Sequence, residues 1–160
     1  MEYTAKTCGE EVFSICVDGV HTWCRTFVQE EVGKLAENRC WFIVNHQQYE
    51  GRCPELRGAY LTYDNEEKHI FYNRTNDYNG GRERVGMGLL MAEFLQWQKN
   101  SAIGTTSEKS ARIGNVFDSS LKKYIEYVKR EIVDTDSGEV YNDMGRDNSY
   151  QRLYNSPWYA

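Results

Sequence analysis

The sequence predicts an α+β chain, with an antiparallel β region first and helices after it. Three observations predict this. An Asp-Gly pair stands between two β-rich runs near the start. After about residue 85 the apolar residues change from strand-like patterning to helical spacing. Between the two regimes lies a polar, glycine-rich stretch, "NRTNDYNGG", at 73–81. The expected division is a β-rich region over residues 1–72 and a helical region over residues 73–160.

The strand elements come first. In "VFSICVDGVHTWC" the two-residue loop Asp18-Gly19 favours a type I′ hairpin. That register sets Val17 opposite Val20, Ile15 opposite Thr22 and Phe13 opposite Cys24. One face is then mostly apolar, and the other carries Ser14, Cys16, His21, Trp23 and Arg25. Val12, Cys16, Val20, Trp23 and Phe27 also fit a helix, but the Asp-Gly pair tells against it. "EEVGKLAENRC" reads as a loop or a short helix. "CWFIV" and "GAYLTY" read as strands, "YDNEEK" as a turn and "HIFY" as the returning strand.

The helical elements follow. From Gly86 to about Lys99, the apolar residues Met87, Leu89, Leu90, Met91, Ala92, Phe94, Leu95 and Trp97 cover every side of a helical wheel. A helix that is apolar all round is expected to be buried all round. Residues 100–114 read as a Ser/Thr/Gly-rich connection. The next helix, about 115–133, has one stripe: Phe117, Leu121, Tyr124, Ile125, Val128 and Ile132. Asn115 or Asp118 is expected to cap it. Ser137-Gly138 reads as a turn. The pair forms an αα-hairpin with an inner and an outer member. One hairpin cannot bury the inner helix on both flanks, so the remainder of a larger chain is expected to be missing.

Charge and composition narrow the function classes. A net charge of −5 with no long Lys/Arg run argues against nucleic acid as the main partner. No apolar run approaches the ~18 residues of a membrane span. The start, "MEYTAKTCGEE", has neither the basic nor the apolar region of a signal peptide, which leaves open a secreted or periplasmic parent. Cysteines 8, 16, 24, 40 and 53 form no C-x-x-C pair and are expected to be buried free thiols. Histidines 21, 46 and 69 lack metal-ligand spacing, so neither metal nor cofactor is expected. Asn73-Arg74-Thr75 matches the N-glycosylation pattern. The 12 Tyr, 6 Phe and 4 Trp supply core, and they supply rings on which the CH faces of sugars can stack.

The stretch "NGGRERVGMG" admits three readings. As a nucleotide loop it lacks Gly-Lys-Ser/Thr and G-x-G-x-x-G. As an acyl-CoA loop of GNAT acetyltransferases, the window Glu83-Arg84-Val85-Gly86-Met87-Gly88 has the glycines. A helix N-terminus there could take a pyrophosphate. Glu83 at the first position would repel phosphate, and no strand runs directly into the motif. The third reading is a glycan-processing loop. "NHQQYEGRCPELRGAYLTYDN", "NGGRERVGMGLLMAEFLQ" and "SLKKYIEYVKREIVDTDSGEVYNDMGRDNSYQRLYNSPWY" together resemble bacterial six-hairpin glycosidase-like proteins. These join an N-terminal β-sandwich to an (α/α)6 barrel.

The resemblance implies the end of a β-sandwich and the first helices of a barrel, from a glycoside hydrolase acting on oligo- or polysaccharide. It implies that polar loops at one rim line the sugar site. The expected catalytic residues are Glu83, Asp143 and Asp147. The expected substrate-binding residues are Asp77, Arg82, Arg84, Arg146, Tyr150, Tyr154 and Trp158. Glycoside hydrolysis usually uses two carboxyl groups, one of them a proton donor. Glu83 between two arginines is held as an anion and suits a base. Asp143 and Asp147 suit the acid better. The same residues also suit ion pairs and caps, so a non-catalytic carbohydrate-binding or structural piece competes. With most of a barrel missing, the isolated chain is expected to be inactive.

Overall fold

The computed structural model describes residue 4 and residues 7–72, 82–101 and 108–149, with backbone only at 82–84, 109 and 110. These described residues form an α+β arrangement with two small antiparallel sheets and three α-helices. The chain forms two compact units, residues 1–36 and 37–160.

The first unit is built on a hairpin. Strand β1 (Gly9–Val17) pairs antiparallel with β2 (Val20–Val28), with Val17 facing Val20, Ile15 facing Thr22 and Phe13 facing Cys24. Both loop residues have positive φ, 48° at Asp18 and 78° at Gly19, as a type I′ turn requires. The expected register is therefore the one found. Within this unit, Arg25 reaches Glu10 across the strands at 2.7 Å, both side chains exposed. Trp23 and Phe27 stand in solvent.

Helix α1 (Val32–Phe42) carries the chain from the first unit into the second. It continues into a π turn, Ile43–Gln47, closed by Gln48 N–H donating to the Ile43 carbonyl at 2.9 Å. This decides "EEVGKLAENRC" as largely helix and corrects the expected strand "CWFIV", which is helix and π turn. The physical reason is burial at i, i+3 and i+7. Cys40, Ile43 and Gln47 point into the core, a spacing that a helix provides and a strand does not.

Residues 58–61 then run through the centre of the second unit. Leu61 N–H donates to the Gln47 carbonyl and Tyr49 N–H to the Ala59 carbonyl, both at 2.8 Å. Ala59, Tyr60 and Leu61 are fully buried. Strand β3 (Thr62–Asp64) pairs with β4 (His69–Phe71) across the expected turn. There the Asp64 carboxylate accepts from Glu66 and Glu67 N–H, at 2.8 and 2.9 Å.

Helices α2 (Arg82–Ser101) and α3 (Glu108–Tyr127) form the expected helical pair. Helix α3 also ends in a π turn, Val128–Ile132. Three details correct the expectation. Helix α2 is buried on one face only, through Gly88, Met91, Phe94 and Leu95, while Leu89 is 60% and Trp97 49% exposed. Helix α3 packs against α2. Helix α3 begins at Glu108, inside the expected connection, so Asn115 and Asp118 are no caps. Asp118 instead pairs with Lys122 one turn on, at 2.6 Å. The buried stripe of α3 is Phe117, Ser120, Tyr124 and Tyr127, rotated from the expected one, with Ile125 left 40% exposed.

A polar chain ties these elements together. Gln48 donates to the Ser120 carbonyl at 2.9 Å, and Ser120 Oγ donates back to Gln48 Oε1 at 2.8 Å. The Tyr60 hydroxyl lies 3.0 Å from Ser120 Oγ and donates to Met91 Sδ at 3.3 Å. Burial pushes the Tyr60 phenol up to about 12. All five cysteines are free thiols, but only Cys40 is buried. Cys8, Cys16 and Cys24 are exposed and Cys53 is half-buried, which corrects the expected burial.

Candidate functional site

Among the described residues, the segment after α3 carries three of the expected site residues. Val133 is extended and bridges Val140. Between them the Asp134 carboxylate accepts from Asp136 N–H at 2.9 Å and Ser137 N–H at 3.3 Å, and Gly138 takes φ 74°. This is the expected Ser137-Gly138 turn. A second turn closes where Asp143 bridges Asp147, with Gly145 at φ 70° and Arg146 at φ 54°. Asp143, Arg146 and Asp147 thus share one tight turn.

Asp143 lies at its inner side and is 1% exposed. The Tyr72 hydroxyl lies 3.0 and 3.1 Å from its two oxygens, and Met144 N–H donates to Oδ1 at 2.8 Å. Glu131, from the π turn, is the second buried carboxylate at 6% exposed. Its Oε2 accepts from Gly145 N–H at 2.7 Å, and its Oε1 accepts from Arg130 Nε. Arg130 in turn donates through Nη2 to the carbonyls of Pro54, Glu55 and Arg57, at 3.3, 3.3 and 3.0 Å.

Tyr127 packs beside this cluster, fully buried. Its hydroxyl has no hydrogen-bond partner among the described groups. Burial pushes its phenol well up, helped by Tyr124, Asp143, Tyr72 and Glu131. It therefore stays neutral and apolar in behaviour. Arg146 points outward. Its Nε donates to the Arg130 carbonyl at 3.3 Å, its Nη1 to Asp134 Oδ2 at 3.4 Å, and its guanidinium lies 5.6 Å from the Tyr141 ring centre. Asp147 Oδ1 accepts from Ser149 N–H at 2.7 Å.

Chemically, the arrangement orients a phenol. A carboxylate that receives the Tyr72 hydroxyl fixes its direction. Asp143 itself is turned inward. The remaining expected residues are not brought to this turn by anything described. Arg82, Glu83 and Arg84 form the first turn of α2, and their side chains lie outside the described residues. Asp77, Tyr150, Tyr154, Trp158 and the Asn73 triplet also lie outside them. Sequence reasoning missed Tyr72, Glu131 and Arg130. Glu131 had a signal, since it lies i+7 from the buried Tyr124, in the π turn that continues α3.

No family model and no curated protein matches the chain. Among solved structures it is similar to Polysaccharide Lyase BACCELL_00875, with a TM-score of 0.70 and 28% identity. That match covers 96% of this chain and 21% of the lyase, so the chain spans about a fifth of its length.

Proposed function

We propose that the chain is part of a carbohydrate-active protein whose substrate is a polysaccharide. The observation that carries this is the similarity to a polysaccharide lyase over 96% of the chain. The division at about residue 72 into a β-rich front and a helical region, and the roles of Asp77, Arg82, Glu83, Arg84, Asp143, Arg146, Asp147, Tyr150, Tyr154 and Trp158, belong to the same reading.

Two reaction classes fit, and they ask different things of the site. Hydrolysis needs a carboxyl pair, one member donating a proton. Elimination needs a base at a carbon beside a carboxyl group and a donor to the leaving oxygen. The lyase neighbour and the pairing of Tyr72 with Asp143 favour elimination, with the Tyr72 hydroxyl as the donor to the leaving oxygen and Asp143 positioning it. Glycoside hydrolysis, with Glu83, Asp143 and Asp147 as the carboxyl candidates, is the second reading.

The test is incubation of the chain, alone and within its parent protein, with neutral and uronate-containing polysaccharides. Elimination produces an ultraviolet-absorbing unsaturated uronate, and hydrolysis produces reducing ends without it. The parent is expected to cleave and the isolated chain to bind without turnover. Failure of both to bind or cleave any polysaccharide would overturn the reading. Acetyl transfer from acetyl-CoA would replace it with the acyltransferase alternative.

A further inference from the structure

A second concave site lies away from the Asp143 turn, in the same compact unit. Trp41 of α1 faces Glu108, Arg112, Ile113 and Val116 of α3 across a cavity of about 350 Å³. That volume is at the low end of the range for small-molecule sites, roughly 300–1,000 Å³. The indole is half-buried and held edge-on by Phe117, with ring centres 4.9 Å apart at 67°. Phe117 is fully buried and packs on Phe94 at 5.7 Å. The indole plane is therefore fixed by the core rather than by anything in the cavity.

The polar groups of the cavity are of one acceptor type and one donor type. Glu108 and Arg112 are four residues apart on α3, so they share a helix face one turn apart. A carboxylate accepts and a guanidinium donates. A sugar hydroxyl does both, so adjacent hydroxyls on one ring edge satisfy the pair together. A ring-bound carboxylate would meet Arg112 but oppose Glu108. Trp41, Ile113 and Val116 supply the apolar surface that the CH face of a pyranose requires.

We propose that this cavity is a subsite for one neutral pyranose unit of a polysaccharide, with Trp41 as the stacking floor and Glu108 and Arg112 bridging the ring hydroxyls. The proposal rests on the carbohydrate reading above.

The experiment follows the Trp41 indole N–H by nuclear magnetic resonance as cellohexaose, mannohexaose, xylohexaose and an alginate hexamer are added in turn. At least one neutral hexamer should move the Trp41 signal. Glu108→Gln and Arg112→Gln should each weaken that binding about tenfold or more, as expected for losing a hydrogen bond to a charged group. Both positions are exposed, so the melting temperature should hold. A glycan that shifts other signals but leaves Trp41 unmoved would overturn the subsite and leave the carbohydrate reading standing. Wild-type affinity in both variants, or a preference of this site for the alginate hexamer, would also overturn it. If no glycan shifts any signal, the subsite and the carbohydrate reading fall together.

Discussion

Alanine at Gly88 and alanine at Gly86 should change stability in opposite directions, although both glycines stand in α2. A Cβ at Gly88 would lie 2.7 Å from Tyr124 Cε1 and 3.0 Å from Cδ1, well inside the ~3.5–4.0 Å of comfortable carbon contact. The ring has little room to withdraw. Tyr124 is 4% exposed and stacks on Tyr60 at 4.3 Å and 11°, and Tyr60 is fully buried and hydrogen-bonded to Ser120. Overpacking of this kind costs about 1–3 kcal/mol. Alanine recovers only about 1 kcal/mol of helix propensity. Gly88→Ala should therefore lose up to about 2 kcal/mol. At Gly86 a Cβ meets nothing within 4 Å, so Gly86→Ala keeps the propensity gain and should be more stable by about 0.5–1 kcal/mol. Urea unfolding followed by tyrosine and tryptophan fluorescence reads both values. Adding Tyr124→Leu should remove most of the Gly88→Ala penalty in a double-mutant cycle. The reasoning is refuted if Gly88→Ala is as stable as the parent, or if both alanines shift stability in the same direction.

Four further outcomes are expected. Gly58→Ala should cost roughly 2–4 kcal/mol, because φ is +88° there and the new Cβ would lie 2.5 Å from the Lys123 carbonyl oxygen, which is backbone and cannot swing away; a loss below about 1 kcal/mol in urea would sink this. Alkali should destabilise the second unit between pH 10 and about 12, since Tyr60 keeps its proton longer when folded; stability is held below the ordinary phenol value of 10.0 and lost as pH rises towards about 12, and Tyr60→Phe should flatten that slope in denaturation series. Asp143→Ala should cost about 2–3 kcal/mol by removing the acceptor of the Tyr72 hydroxyl and Met144 N–H, and Asp143→Asn less; an unchanged melting temperature for Asp143→Ala would sink this. Backbone donors from Glu67 and Glu66 hold the Asp64 carboxyl below its ordinary 3.8, so its contribution is present above 3.8 and fades as pH falls through the lower folded value; Asp64→Asn, which still accepts but does not titrate, should lose that acid dependence in carbon-detected resonance titrations of the turn.

The sequence by itself determined the local features. Asp18-Gly19 set both the turn type and the strand register, because positive φ at two consecutive residues leaves one hairpin geometry. Asp64 and the polar run after it set the next turn. The apolar wheel at 86–99 and the spacing from Phe117 to Ile132 marked the two long helices, and the turn that gathers Asp143, Arg146 and Asp147 was near enough in sequence to be grouped. Tertiary structure decided the rest. "CWFIV" is a short apolar run, which fits either period, and only packing of Cys40 and Ile43 into the core made it helical. Which sides of α2 and α3 are buried depended on Gly88 letting Tyr124 approach, a contact across two helices. The site depended most on long-range contact. Tyr72 reaches Asp143 across 71 positions, and Arg130 reaches the carbonyls at 54–57 across more than 70. No local pattern encodes such pairs, because a buried hydrogen bond is chosen by what the folded chain brings within about 3 Å, not by the neighbours of either residue along the sequence.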